Sequence, residues 1–270
     1  MQNERLLNIK SGMNFRELGG YKNKEGRQLK YHKLVRSASL GNLSDSDLQY
    51  LTDYGVRYDI DFRSIDEQKS VPDKVPDQAE YIFDPVFDVD LTQASKFNEQ
   101  EEQDQGHKLE GVDRIPADGN ADMLETYHDL INLDSSKKAY RLFFDKLLAN
   151  DQDGQAVLFH CTAGKDRTGM GAIFVLTALD VDRDTIIQDY LLTNQASKPF
   201  IDDQIKQMQQ KKLDPNLITS VKALLAVKTD YLQAADAAVQ KTSGTWQNYL
   251  RTELKVTDSE IKQLQAIYLD

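Results

Sequence analysis

Apolar positions along the chain follow two periods, and they bracket one polar loop. Ala156 to Phe159 is a continuous apolar run, the pattern of a strand buried on both faces. Gly169 to Leu179 is apolar on nearly every side and reads as a helix in the middle of a domain. The spacing therefore predicts a strand, a loop and a helix N-terminus in succession. Upstream, Val56 to Phe62 alternates as a strand that ends in Asp61-Phe62-Arg63-Ser64, and Tyr81-Ile82-Phe83 is a second short strand. Ser44 as N-cap, Leu48 and Leu51 as stripe and Gly55 as stop define a helix between them. Helical spacing resumes over Ala121 to Ile131 and Ser136 to Ala149, and again behind Asp182 as a cap, with Ile186, Ile187, Tyr190 and Leu191 inward. Thr257 and Glu260 form a capping box for a last helix.

Two stretches depart from this rhythm. Leu91 to Asn120 has few large apolar residues and no period, so residues 89–122 read as a mobile insertion or as a plain solvated excursion. Residues 197–240 suggest a helical pair broken at Leu213-Asp214-Pro215-Asn216, either a lid or part of the core. The whole predicts one α/β domain over residues 1–270: a central, mostly parallel sheet, helices on both faces and a helical C-terminal addition.

Composition narrows the function. A net charge of −11 argues against bulk attraction to nucleic acid or an anionic membrane. One cysteine excludes an internal disulfide framework. The opening residues lack the apolar core of a signal peptide, and no run approaches a membrane span, so a soluble cytoplasmic enzyme is expected. His32, His107 and His128 show no ligand spacing, and neither metal nor cofactor is implied.

The polar loop carries the chemistry. Cys161 is separated by five residues from Arg167, and Thr168 follows at once. Free N–H groups converge at such a strand–helix junction, and the helix dipole adds partial positive charge, so the loop is an anion site. A helix N-terminus and a nearby cation favour a thiolate over a thiol. Arg167 presents a planar fork suited to two phosphate oxygens. Gly164 permits unusual backbone angles and close approach to the anion, and His160 holds the loop's shape through hydrogen bonds.

His160 to Gly169, HCTAGKDRTG, resembles the Cys-x5-Arg-Ser/Thr signature of the protein tyrosine phosphatase superfamily, in its bacterial GKDRTG branch of tyrosine, serine/threonine and phosphoinositide phosphatases. Asn14 to Gly20 is similar to that branch's NFRDLGG box, Leu34-Val35-Arg36-Ser37 and Asp61-Phe62-Arg63-Ser64 to its RS and DLRS boxes, and Asp189 to Asn194 to its DYxxTN box. For Arg16 alone an ion pair is the default reading, and Thr193 and Asn194 either support the cup from its rim or end a helix.

The resemblance implies hydrolysis of phosphate monoesters through a phosphocysteine. Cys161 attacks phosphorus. Thr162, Ala163, Gly164, Lys165, Asp166 and Arg167 bind the phosphoryl oxygens, and Thr168 helps discharge the intermediate. The leaving oxygen needs a proton. The branch aligns an aspartate best with Asp88, on a loop also holding Asp84 and Asp90, for which turn capping is the better reading. The alternative acid is Asp166, whose proximity to Arg167 favours carboxylate over carboxylic acid. Substrates expected are phosphotyrosine proteins or, secondarily, phosphoinositides, with Lys165 as a cation for a second phosphate. The rivals are a sulfurtransferase, against which the Arg-Thr pair argues, and a phosphate-reading adaptor without turnover.

Overall fold

A computed structural model describes residues 5–97 and 115–270. The stretch 98–114, most of the expected insertion, lies outside the described residues. Five strands form one sheet: β1 (Arg16–Glu17), β2 (Leu34–Ser37), β3 (Val56–Asp61), β4 (Glu80–Phe83) and β5 (Ala156–His160), in the order β1-β2-β5-β3-β4. Only β1 runs antiparallel to its neighbour. The sheet is mostly parallel, as the sequence predicts. β5, the apolar run, lies at its centre with all five residues buried.

Period-two alternation sends the sheet's side chains to two cores. Ala156, Leu158, Val35 and Val56 pack on one face with Phe15, Leu40, Leu43 and Leu51. Leu51 belongs to helix α1 (Asp45–Tyr54), capped by Ser44 and stopped by Gly55 at φ 93°. Val157, Phe159, Ile60, Phe62 and Ile82 point the other way, into the larger core. That core is filled by α3 (Gly119–Asn132), α4 (Asp134–Ala149), α5 (Arg167–Ala178), α6 (Arg183–Ala196), α9 (Thr229–Ser243), α10 (Trp246–Thr252) and α11 (Asp258–Tyr268). The short α2 (Ile65–Ser70) follows β3 directly.

The expected pair at 197–240 is three helices. α7 (Lys198–Gln210) and α8 (Pro215–Leu225) share a small apolar cluster through Met208, Val221 and Leu225, whereas Tyr231, Leu232, Ala235 and Val239 place α9 in the main core. The additional break falls at residues 226–228, where Asn194 binds the Val227 backbone through both N–H and C=O. Asn194 therefore locks the end of α6 and does not reach the cup. No described helix is long and apolar enough to cross a membrane.

Candidate active site

β5 delivers Cys161 at its C-terminal end, and α5 starts six residues later at Arg167. The loop between them is buried: Cys161 is 2% exposed, and Lys165, Asp166, Arg167 and Thr168 are buried with it. Gly164 has φ 67°, and a Cβ there would sit 2.4 Å from the Ser37 carbonyl oxygen. Both the angle and the contact require glycine. Among the described residues, no N–H of residues 162–166 donates to a protein oxygen. The Arg167 Nε and Thr168 Oγ1 atoms are likewise buried without a partner. A cluster of donors with no acceptor is what an oxyanion site requires.

Arg167 is gripped from a place the sequence reading missed. Its Nη1 and Nη2 donate to Glu67 at 2.6 and 2.8 Å, and Nη2 also donates to Thr92 Oγ1 at 3.1 Å. Burial would lower the Arg167 pKa, but the Glu67 carboxylate, helped by Cys161 and Asp90, holds it well above the usual value. Conversely, burial pushes Glu67 up, and Arg167 brings it down to about 2. Glu67 further accepts from Thr162 Oγ1 and from the Ser64 N–H, the latter as the capping box of α2. Ser64-x-x-Glu67 was therefore visible as a helix start, but its partner lies a hundred residues away.

The three loop aspartates fall apart. Asp88 is exposed. Asp90 Oδ1 lies 3.6 Å from Arg167 Nη2, and both its oxygens accept from the N–H and hydroxyl groups of Thr92 and Ser95, the turn role expected of it. Asp84 is buried, and desolvation alone raises its pKa to about 8. Ile60 pairs with Phe159 on one side and Ile82 on the other, so the same register sets Phe62 between Cys161 and Asp84. Asp166, inside the loop, accepts from Lys165 Nζ at 2.6 Å and from the Tyr127 hydroxyl at 2.9 Å.

Behind the nucleophile lies a knot of buried charge. His160 Nε2 is 3.3 Å from Asp59 and 3.2 Å from Asp73, and Arg63 binds Asp61 and Asp73 at 2.8 and 2.5 Å. Burial would lower the His160 pKa, yet Asp73 and Asp61 raise it well above 6.5, while burial lifts Asp59 to about 6. Asp59, Asp73 and His160 have the ligand types of a metal site and come within 4.8 Å of one another. A protonated imidazole between two carboxylates, with Arg63 on Asp73, accounts for the same arrangement without an ion. His160 Nδ1 faces the Cys161 carbonyl oxygen at 3.4 Å.

A cavity of 640 Å³ opens beside the loop. Thr162, Ala163 and Lys165 form its floor, the N-terminal arm from Leu6 to Phe15 one wall, and residues of α6, α7 and α8 another. Lys10 and Lys165 are its cations.

A model of the tyrosine phosphatase family matches residues 7–270. The chain is 32% identical to the "Putative tyrosine-protein phosphatase" of Cupriavidus necator, over 95% of this chain and 85% of that protein. It is 28% identical to the triple specificity protein phosphatase PtpB of Mycobacterium tuberculosis, over 88% and 91% of the two. A tyrosine-protein phosphatase of Nostoc commune is 28% identical over 86% of this chain and 72% of its own.

Proposed function

The chain belongs to the tyrosine phosphatase family, and we propose that the loop from Cys161 to Thr168 is its catalytic centre, hydrolysing phosphotyrosine by way of a phosphocysteine. The observation that carries this assignment is the set of unmatched donors, the N–H groups of residues 162–166 with Arg167 Nε and Thr168 Oγ1, gathered around one thiol. Cys161 Sγ attacks phosphorus, and the ester oxygen leaves with a proton. The equatorial oxygens take hydrogen bonds from the loop N–H groups and from Arg167, which Glu67 keeps charged and aimed. Water then attacks the thiophosphate, with Thr168 donating to the departing sulfur.

The proton donor is Asp88 or Asp166. Both oxygens of Asp166 already accept hydrogen bonds, so its acid form needs Lys165 or Tyr127 to turn away. Asp88 has no such engagement, but must swing inward with its loop. A second substrate reading, phosphoinositides, is favoured by the 640 Å³ cavity beside the loop and by Lys10 and Lys165 lining it. Hydrolysis of p-nitrophenyl phosphate should vanish in Cys161→Ser; retained turnover would remove the assignment. Lys165→Ala should cost multiply phosphorylated inositides more than phosphotyrosine peptides, and an equal loss on both would dismiss a second phosphate at Lys165.

A further inference from the structure

The four boxes flanking the signature have no part in the chemistry above, yet three of them meet at one place, the rear of the Cys161 loop. Gly164 O accepts from Asn14 Nδ2 at 2.8 Å and from Arg36 Nη2 at 3.0 Å. Asn14 Nδ2 also reaches Ala163 O at 3.3 Å, and the Ser39 N–H donates to Thr162 O at 3.2 Å. Three consecutive carbonyls are therefore held from outside the cup. In a planar trans peptide the C=O of one residue and the N–H of the next point in opposite directions. Anchoring the oxygens of residues 162, 163 and 164 outward thus turns the N–H groups of Ala163, Gly164 and Lys165 inward.

The anchors are themselves fixed. Asp189 receives Arg36 Nη1 at 2.7 Å and Arg16 Nε at 3.2 Å, while Arg16 Nη2 donates to the Asp189 carbonyl and to Thr193 Oγ1, both at 3.0 Å. Arg16 Nη1 donates in turn to Asn14 Oδ1. Arg16 and Arg36 are fully buried. Two guanidinium groups share one carboxylate, which leaves one positive charge over behind the loop. The other buried cations of the loop are matched: Arg167 by Glu67 and Lys165 by Asp166.

We infer that Asn14 and Arg36, locked by Arg16, Asp189 and Thr193, form a positively charged clamp that turns the Gly164 and Lys165 amides into the cup and so sets its affinity for phosphoryl oxygens. These are positioning residues; they touch the loop and not the substrate. The inference rests on the Cys161 loop being the phosphate site.

Titration of the full-length ¹⁵N-labelled chain with inorganic phosphate tests both. In the wild type the Gly164 and Lys165 amides should move as phosphate binds; their failure to move would overturn the site and the clamp together. The informative variants are Asn14→Gly, Asn14→Asp and Arg36→Lys. Asn14 has φ 61°, so glycine keeps the backbone while removing the amide, and aspartate keeps the Arg16 acceptor but replaces the donor. Both Asn14 variants should weaken inhibition by phosphate about tenfold or more, the scale of a hydrogen bond within a charged network. They should also abolish most of the two amide shifts, while the rest of the spectrum stays in place. Arg36→Lys should lose less affinity than the Asn14 variants, since it keeps the charge but not the fork. Wild-type phosphate affinity and amide shifts in a folded Asn14→Gly variant would overturn the clamp and leave the site standing.

Discussion

Asp84 is a carboxyl group in the wrong solvent. Burial alone lifts its pKa from 3.8 to about 8, and among the described residues no cation offsets it. In the folded chain it keeps its proton to about pH 8, and in the unfolded chain only to near 3.8. Folding therefore takes up a proton between these values. The stability tied to that proton is whole below the unfolded pKa and is lost as pH rises through the folded one. Asp84→Asn cannot ionise and escapes the loss. Its melting temperature should gain on the wild type by several degrees between roughly pH 4 and pH 8, then level off. Curves that stay parallel over that range would show that Asp84 is not desolvated. At this scale the sequence was legible where chemistry is local. Cys161, Arg167 and Thr168 sit within eight residues, and their types and spacing single them out as candidates. Glu67 was illegible because a glutamate in the first turn of a polar helix looks like any N-terminal carboxylate. Only tertiary contact reveals that it grips Arg167.

On the proposed reading, the element that supplies the acid from outside the cup is the loop from Asp84 to Thr92. Its start is pinned by Asp84 N–H to Asp61 O at 2.9 Å and by the buried Val86 and Phe87; its end is pinned at Arg167 by Thr92. Asp88 and Val89 form the exposed stretch between these anchors. General acid catalysis is typically worth about 10²–10⁴-fold, more for an alkyl than for an aryl leaving group. Asp88→Asn should therefore lose alkyl phosphate turnover most and flatten the basic limb of the kcat profile. Asp166→Asn should act mainly by freeing Lys165 and Tyr127. If Asp166→Asn removes the basic limb and Asp88→Asn preserves it, the acid belongs to the phosphate loop. The sequence showed this stretch as a proline-led loop with three carboxylates. Resemblance singled out Asp88 among them, but the burial of Asp84, the exposure of Asp88 and the Asp90 turn bonds depend on what packs beneath and could not be read from sequence.

Across the whole molecule, the segment Arg27 to Lys33 and the last helix close on each other beside the turn that leads into β5. Leu29 bridges to Leu269, the Asp270 N–H donates to Gln28 O at 2.9 Å, and the Arg27 side chain donates to the carbonyls of Gln265, Leu269 and Asp270. The Tyr268 hydroxyl donates to Leu147 O at 2.8 Å, at the last turn of α4, from which the chain turns into β5. Lys33 braces the same turn through Asn150 O and Gln152 O at 3.0 and 2.7 Å. The last helix thus supports the approach to Cys161, although it lies far from it in sequence. Its buried Leu264, Ile267 and Tyr268 contribute roughly 5–9 kcal/mol at about 1.5–3 kcal/mol a side chain, an upper bound. A domain of this kind has only about 5–15 kcal/mol in total. Deleting residues 258–270 should therefore unfold the chain as a unit, seen as loss of the cooperative melting transition together with p-nitrophenyl phosphate turnover. The opposite expectation follows if the C-terminal helices are an appended layer over a self-sufficient sheet. A truncated chain that still melts cooperatively and turns over the aryl phosphate would establish that layer, and would divide the domain that these interlocked segments make one.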